Sequence, residues 1–252
     1  MELRSQPNNE AQIKKHIVIY DTETTGLNPL KEKIIEISFT KLSNNTGDTI
    51  LINPEKEISE VVSNINGIKN EVVDKCKNFQ AIIDDLEKDI ECKNDDDKTY
   101  LVAHNGNSFD EPFLKEEYRR IEREVPKNYI FIDTLPITRE LLKNKVENHQ
   151  LQTLKKYFNI EVDDSIAHTA KADVVVLAEL WEKLKEIANE DRLIELSLAS
   201  KKKMPFGIHK NKLISDIPDD YIKWMKKQKI FLTKPYLHNL FMEYNKFYKT
   251  NN

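Results

Sequence analysis

Asp21 and Glu23 stand two residues apart where the apolar run Ile17-Val18-Ile19-Tyr20 ends. In an extended strand that spacing puts both side chains on one face. Two carboxylates so placed repel each other, and a shared hard cation such as Mg²⁺ or Mn²⁺ is the simplest relief. Taken alone, Asp21-Thr22-Glu23-Thr24-Thr25-Gly26 also reads as a polar loop. Two further acids favour the metal. Asp110 precedes Phe113, Leu114 and Ile121 by three, four and eleven residues, and Asp173 precedes Leu177, Leu180 and Leu184 by four, seven and eleven. These are helical spacings that turn each acid toward the apolar side of its helix. An isolated carboxylate is costly to bury, so such positions need partners. Four converging acids imply a two-metal site, whose ions stand about 3.5 to 4 Å apart and serve phosphodiester hydrolysis. His168, five residues before Asp173, would fall about 140° away from it on one continuous helix. It must therefore sit on the preceding loop to join the site, where its near-neutral pKa suits it to take a proton from an attacking water.

The elements that must position these residues follow from periodicity. Ile17 to Tyr20 is a short continuous apolar strand, and Ile35, Ile37 and Phe39 alternate with Glu36 and Ser38 as in a half-buried one. The turn cluster Asn44 to Asp48 precedes a third strand at Thr49 to Ile52. A polar helical stretch is expected around Asn70 to Ile90, then a solvated acidic loop at Asp95 to Asp97 and a strand from Tyr100 to Ala103 that ends at His104. Ser108 with Glu111 has the spacing of a capping box at the start of the Asp110 helix. Tyr129 to Ile132 reads as another strand. Leu177, Leu180, Trp181, Leu184, Ile187 and Ala188 form the apolar stripe of a later helix. Strands alternating with helices argue for an α/β layered domain over residues 15–195.

The chain has 252 residues, 39% of them hydrophobic and 33% charged. That is enough apolar residue for a core and excludes wholesale disorder. No apolar run is long enough to span a membrane and the first residues lack a secretory core, so a soluble intracellular protein without membrane contact is expected. Cys76 and Cys92 have no zinc-type spacing and read as ordinary thiols. The net charge of −4 hides an asymmetry. Residues 199–252 carry twelve lysines against four acids and nine of the chain's 21 aromatics, which marks them as a basic, aromatic-rich module appended to an acidic body.

Three motifs together resemble the DnaQ-like superfamily of 3′-5′ exonucleases in its DEDDh branch. They are Ile19-Tyr20-Asp21-Thr22-Glu23-Thr24-Thr25-Gly26-Leu27, Ala103-His104-Asn105-Gly106-Asn107-Ser108-Phe109-Asp110 and His168-Thr169-Ala170-Lys171-Ala172-Asp173. Ile132-Asp133-Thr134 and Asn66-Gly67-Ile68 add weaker similarity. The resemblance implies a ribonuclease-H-like three-layer fold with a mixed central sheet flanked by helices. It implies Asp21, Glu23, Asp110 and Asp173 as ligands of two Mg²⁺ or Mn²⁺ ions and His168 as general base. Thr24, Leu27, Asn105 and Phe109 match positions that line the pocket for a 3′-terminal nucleotide; Phe109 equally suits core packing and Asn105 a turn cap. Asp133 is expected to cap the next helix. The implied substrate is nucleic acid with a free 3′ end, single-stranded DNA or RNA.

Met204-Pro205-Phe206-Gly207-Ile208-His209-Lys210-Asn211-Lys212 and the stretch from Ser215 to Trp224 resemble the quorum-sensing-regulated virulence factor family, with Ile208 and Asn211 departing from its pattern. The lysines and aromatics there could follow a phosphate backbone and stack bases, or recruit a protein. Phe206 and Trp224 are expected in the module's own core. Two readings of the whole chain result: a metal-dependent 3′-5′ exonuclease, and a binding or scaffold protein that uses the same fold without cutting.

Overall fold

Lys15–Thr24 forms the central strand β1, and its β-branched and aromatic run is buried because sheet neighbours and helices cover it on every side. The structure, a computed structural model, describes residues 15–91, 97–162, 170–234, 237 and 240–242. Strands β2 (Ile34–Lys41), β3 (Thr46–Leu51), β4 (Lys98–Ala103) and β5 (Tyr129–Asp133) complete a five-stranded sheet in the order β3-β2-β1-β4-β5. β1 and β2 run antiparallel, as do β2 and β3, whereas β1, β4 and β5 run parallel. The sheet is therefore mixed, and helices cover both of its faces. That is the expected three-layer α/β arrangement.

Strand alternation assigns the layers. Val18 and Tyr20 of β1 pack with Phe113, Leu114 and the stripe Phe79, Ile82, Ile83, Leu86 and Ile90. These belong to α4 (Asp110–Arg120) and α3 (Phe79–Ile90), the latter capped by Asn78, whose side chain accepts from the Ala81 amide. Ile17 and Ile19 face the other way, into a cluster with Val174, Leu177, Leu180, Trp181 and Leu184 of α7 (Ala170–Ile187) and with Leu193 and Ile194 of α8 (Glu190–Ser200). Helices α5 (Thr134–Leu141) and α6 (Leu151–Tyr157) join this second layer through Ile137 and Leu154. The Ser197 hydroxyl of α8 accepts from the Asp133 amide at 2.8 Å, which ties that helix to the end of β5.

Three local expectations need correction. Residues 70–90 are two helices, α2 (Asn70–Val73) and α3, because the chain turns at 74–78 to place Asn78 as a cap; α1 (Glu60–Asn66) precedes them and ends at Gly67 with φ 75°. Residues 34–39 of β2 are buried on both faces, so Glu36 and Ser38 point into the α7 layer instead of solvent. No capping box forms at α4, where Phe109 holds the cap position without a side-chain bond and Glu111 instead pairs with Lys115 and Lys201.

Beyond α8 the chain builds a core of its own. Met204, Ile214, Ile217, Ile222, Met225, Phe231, Leu237 and Phe241 cluster together. They come from a loop pinched by the Lys203 and Leu213 bridge, from α9 (Asp219–Lys227), from α10 (Ile230–Thr233) and from residues beyond it. Phe206 packs half-buried against this cluster, but Trp224 does not enter it and remains 46% exposed. Ile222 and Met225 take the inward face of α9, and a residue two positions after Ile222 is rotated about 200° away from it.

Candidate active site

β1 carries its acids just past the point where its neighbour stops. Parallel pairing with β4 ends at Ile19 opposite Val102, so the chain beyond Tyr20 has a free edge there. Asp21 and Glu23 continue the face of Ile17 and Ile19 and look toward α7. Thr22 looks the other way. At the head of α4, Asp110 is 2% exposed, and its Oδ1 accepts from the Thr22 amide at 3.1 Å and from the Thr22 hydroxyl at 2.7 Å. The free strand edge thus holds Asp110 in place. Asp173, in the first turn of α7, acts electrostatically on both Asp21 and Glu23.

Like charge and burial raise the affinity of Asp21 and Glu23 for protons, with Asp110 and Asp173 among the charges that act on both. Burial, then Asp110, Asp173 and Glu23, hold Asp21 well above the usual carboxylate range. Glu23 is pushed up to about 7 by burial first, then by Glu36, Asp173 and Asp110. Burial likewise pushes Asp110 up to about 7 against the pull of its bonds from Thr22. Sequence reasoning missed Glu36. It pairs directly with Glu23 across the β1/β2 register, lies 8% exposed and is the strongest charged neighbour acting on Glu23. Its signal in the sequence, a lone acid between Ile35 and Ile37, is indistinguishable from an outward-facing strand residue.

Among the described residues, no three His, Cys, Asp or Glu side chains are drawn tightly enough together to form a ready-made metal cage. The donor set nevertheless fits a hard divalent cation: it is anionic, all-oxygen and mutually repulsive until positive charge arrives. His168 lies outside the described residues.

The loops beside the acids are firmly built. Thr25 and Lys33 close a turn through the Thr25 amide to the Lys33 carbonyl at 2.8 Å, and Thr25 donates to Glu32 at 2.6 Å. The Thr24 hydroxyl is spent on the Gly26 carbonyl at 2.6 Å, while Leu27 at the tip is 86% exposed. Asn105 is exposed and left-handed with φ 64°, and its amide donates to Asp133 at 2.8 Å. Phe109 is half-buried, 5.0 Å from the Phe113 ring. Asp133 caps α5 as expected, accepting from Leu135, and it also accepts from Asn105 and Asn107, so one carboxylate joins the end of β5 to the loop before Asp110. His104 fixes the same loop. Its Nε2 donates to the His149 carbonyl and its Nδ1 accepts from Thr134, each at 2.8 Å, and burial lowers its pKa to about 4.

The sequence profile of the exonuclease family matches residues 18–181, which hold all four acids and His168. The chain belongs to the exonuclease family. Members of that family work with divalent metal ions. An exonuclease of Arabidopsis thaliana chloroplasts and mitochondria is 32% identical over 178 residues, covering 67% of this chain and 55% of that protein. The PolC-type DNA polymerase III of Bacillus subtilis is 34% identical over 179 residues, 69% of this chain and 12% of the polymerase. The chain thus spans about half of the first relative and about an eighth of the second. Among solved structures, exonuclease X in complex with 5′ overhanging duplex DNA superposes with a TM-score of 0.54 at 21% identity, covering 72% of this chain and 99% of that one. Escherichia coli exonuclease I in complex with an oligonucleotide gives a TM-score of 0.60 at 17% identity, over 75% and 44% respectively. These likenesses establish the ribonuclease-H-like fold of this exonuclease-family chain. A second profile, for the quorum-sensing-regulated virulence factor family, matches residues 189–234. Among the described residues no helix is long and apolar enough to cross a membrane.

Proposed function

We propose that this chain is a metal-dependent 3′-5′ exonuclease that hydrolyses phosphodiester bonds of DNA or RNA from a free 3′ end and releases nucleoside monophosphates. The observation that carries the reading is that the exonuclease-family match spans Asp21, Glu23, Asp110 and Asp173, with Asp110 buried and held by Thr22 at the open end of β1. Two Mg²⁺ or Mn²⁺ ions held by these four acids would neutralise the scissile phosphate and acidify the attacking water. The chain's own residues do the rest. Thr22 orients Asp110, and Asp133 and His104 fix the loop that leads to it. Leu27, Asn105 and Phe109 would line the pocket for a terminal nucleotide, with Thr24 bonded to the Gly26 carbonyl in the turn that carries Leu27. His168 takes the proton of the attacking water.

Single-stranded nucleic acid is the proposed substrate, in keeping with the oligonucleotide complex of exonuclease I. The exonuclease domain is assigned to residues 15–195 and the basic module to 199–252, a division supported by the module's separate apolar cluster. A soluble, intracellular location suits such a substrate. The test is a gel time course on 5′-labelled single-stranded DNA, duplex DNA and RNA with Mg²⁺, Mn²⁺ or EDTA. A metal-dependent ladder shortening from the 3′ end is expected, lost in Asp21→Asn and Asp173→Asn while their circular dichroism stays native. Equal cleavage by the variants in clean preparations would refute the site.

A further inference from the structure

Tyr221 packs one side against the core of the C-terminal module, and on its way out to solvent it carries Trp224, which that core does not take in. The Met204 amide donates to the Lys212 carbonyl and the Asn211 amide to the Met204 carbonyl, each at 2.8 Å, which pinches off the loop between them. Within it, Gly207 has φ 73°, and a Cβ there would lie 2.6 Å from the Tyr221 hydroxyl, so only glycine lets the loop close on that ring. The closed loop sets the His209 ring edge-on to Tyr221 at 4.5 Å. One turn along α9, Trp224 stacks on Tyr221 at 5.2 Å with 26° between planes. Trp224 is the end of this ladder and is 46% exposed. The indole is half exposed and already stacked on one face by Tyr221, which leaves its other face open to a flat partner.

The surrounding charge states what would cover it. Lys223 and Lys227 flank Trp224 on α9 and are exposed, as are Lys210 and Lys212 on the loop. Asp219 and Asp220 sit at the helix start, where they favour the helix dipole; Asp220 is the acid one turn before Trp224, and the basic side of the indole is the one toward Lys227 and the helix end. The module's approach is anchored to the body next to Asp110, since Lys201 pairs with Glu111 at 2.5 Å. Flat apolar rings bordered by lysines match one chemistry, an unpaired base flanked by phosphates. We infer that the His209, Tyr221 and Trp224 ladder is a landing platform for a single-stranded nucleic acid, with a base stacked on the open face of Trp224 and phosphates paired to Lys210, Lys223 and Lys227. The inference rests on the proposed nuclease activity only for its biological sense; the platform binds whether or not the chain cuts.

Tryptophan fluorescence tests it directly. The chain has two tryptophans, and Trp181 is fully buried, so solvent-side quenching reports on Trp224. The full chain in EDTA is titrated with thymidine and uridine decamers and, separately, with heparin. Saturable quenching by the decamers but not by heparin is expected. Trp224→Ala should weaken decamer affinity between about 5- and 150-fold by anisotropy, whereas Trp224→Phe should restore most of it. Unchanged affinity in Trp224→Ala, or equal effects of heparin and decamer on fluorescence, would overturn the platform; so would binding of a protein at this face that leaves the decamer affinity untouched. Hydrolysis of a dinucleotide with Mg²⁺ by the unaltered chain, measured alongside, tells a failed platform from a failed catalytic assignment.

Discussion

Replacing Asp110 by Asn should stabilise the metal-free protein at pH 8 while weakening metal binding. Asp110 is 2% exposed, and burial pushes its pKa from the usual 3.8 up to about 7. Each pK unit corresponds to about 1.36 kcal/mol, so forcing this carboxylate to ionise costs at most about 4 kcal/mol of folding stability. Asn keeps an oxygen to accept from Thr22 but must also house an amide group, and the neighbouring acids share part of the strain. About 2 kcal/mol is the expected net gain. In a chain of this size that raises the midpoint of thermal unfolding by roughly 4 to 8 °C. The sign is fixed by linkage. A folded-state acid with a raised pKa binds more protons than its unfolded counterpart, so the wild type loses stability as the pH rises from about 4 to about 7. The advantage of Asp110→Asn should therefore be full above pH 7 and fade as the pH falls toward 4. Calorimetric melts of both proteins in EDTA from pH 4.5 to 8.5 give the answer. Saturating Mg²⁺ should reverse the order, because the wild type then gains binding free energy that the variant lacks. If Asp110→Asn melts at or below the wild type at pH 8 without metal, the picture of mutually repelling buried acids is wrong.

Three other outcomes follow from the contacts. His104, locked neutral between Thr134 and the His149 carbonyl with its pKa lowered to about 4, should show no imidazole titration above pH 5.5 in nitrogen-15 NMR, and its contribution to stability is present above about pH 6.5 and lost as the pH falls toward 4; a midpoint near 6.5 would contradict the buried geometry. Tyr118→Phe removes a buried hydroxyl that donates to Glu87 at 2.8 Å, leaving Glu87 to Arg123 alone, and should cost about 1 to 2 kcal/mol in urea unfolding. Gly106→Ala places a Cβ 2.8 Å from the Ala103 Cβ and must shift the loop that leads to Asp110, so it should lower Mg²⁺ affinity measured by calorimetry, and adding Ala103→Gly should recover it.

The acids were legible because chemistry and periodicity agree at each of them. Asp21 and Glu23 close an apolar run, and Asp110 and Asp173 head helices whose apolar stripes face the sheet, so the sheet, the layers and the elements that carry the four acids could be read from spacing. What spacing could not supply was register. That Glu36 lies opposite Glu23 depends on how β2 slides along β1, and that it is buried depends on α7 covering a face that alternation alone assigns to water. Thr22 was hidden for a similar reason: its role exists only because β4 stops at Ala103 and leaves the Thr22 amide an empty edge for Asp110 to fill.

Trp224 shows the same limit in the opposite direction. An aromatic residue in a small module is expected inside, and Ile222 and Met225 do go inside. A nine-residue helix offers only one narrow buried stripe, however, and those two residues already occupy it. Trp224 then has to lie on the outer side, where Tyr221, three residues earlier, is the only partner its ring finds among the described aromatic pairs of α9. The apolar residue count of a short segment thus says little about which side chains are buried; the number of faces that the rest of the chain can cover decides it, and what is left over becomes surface available for binding.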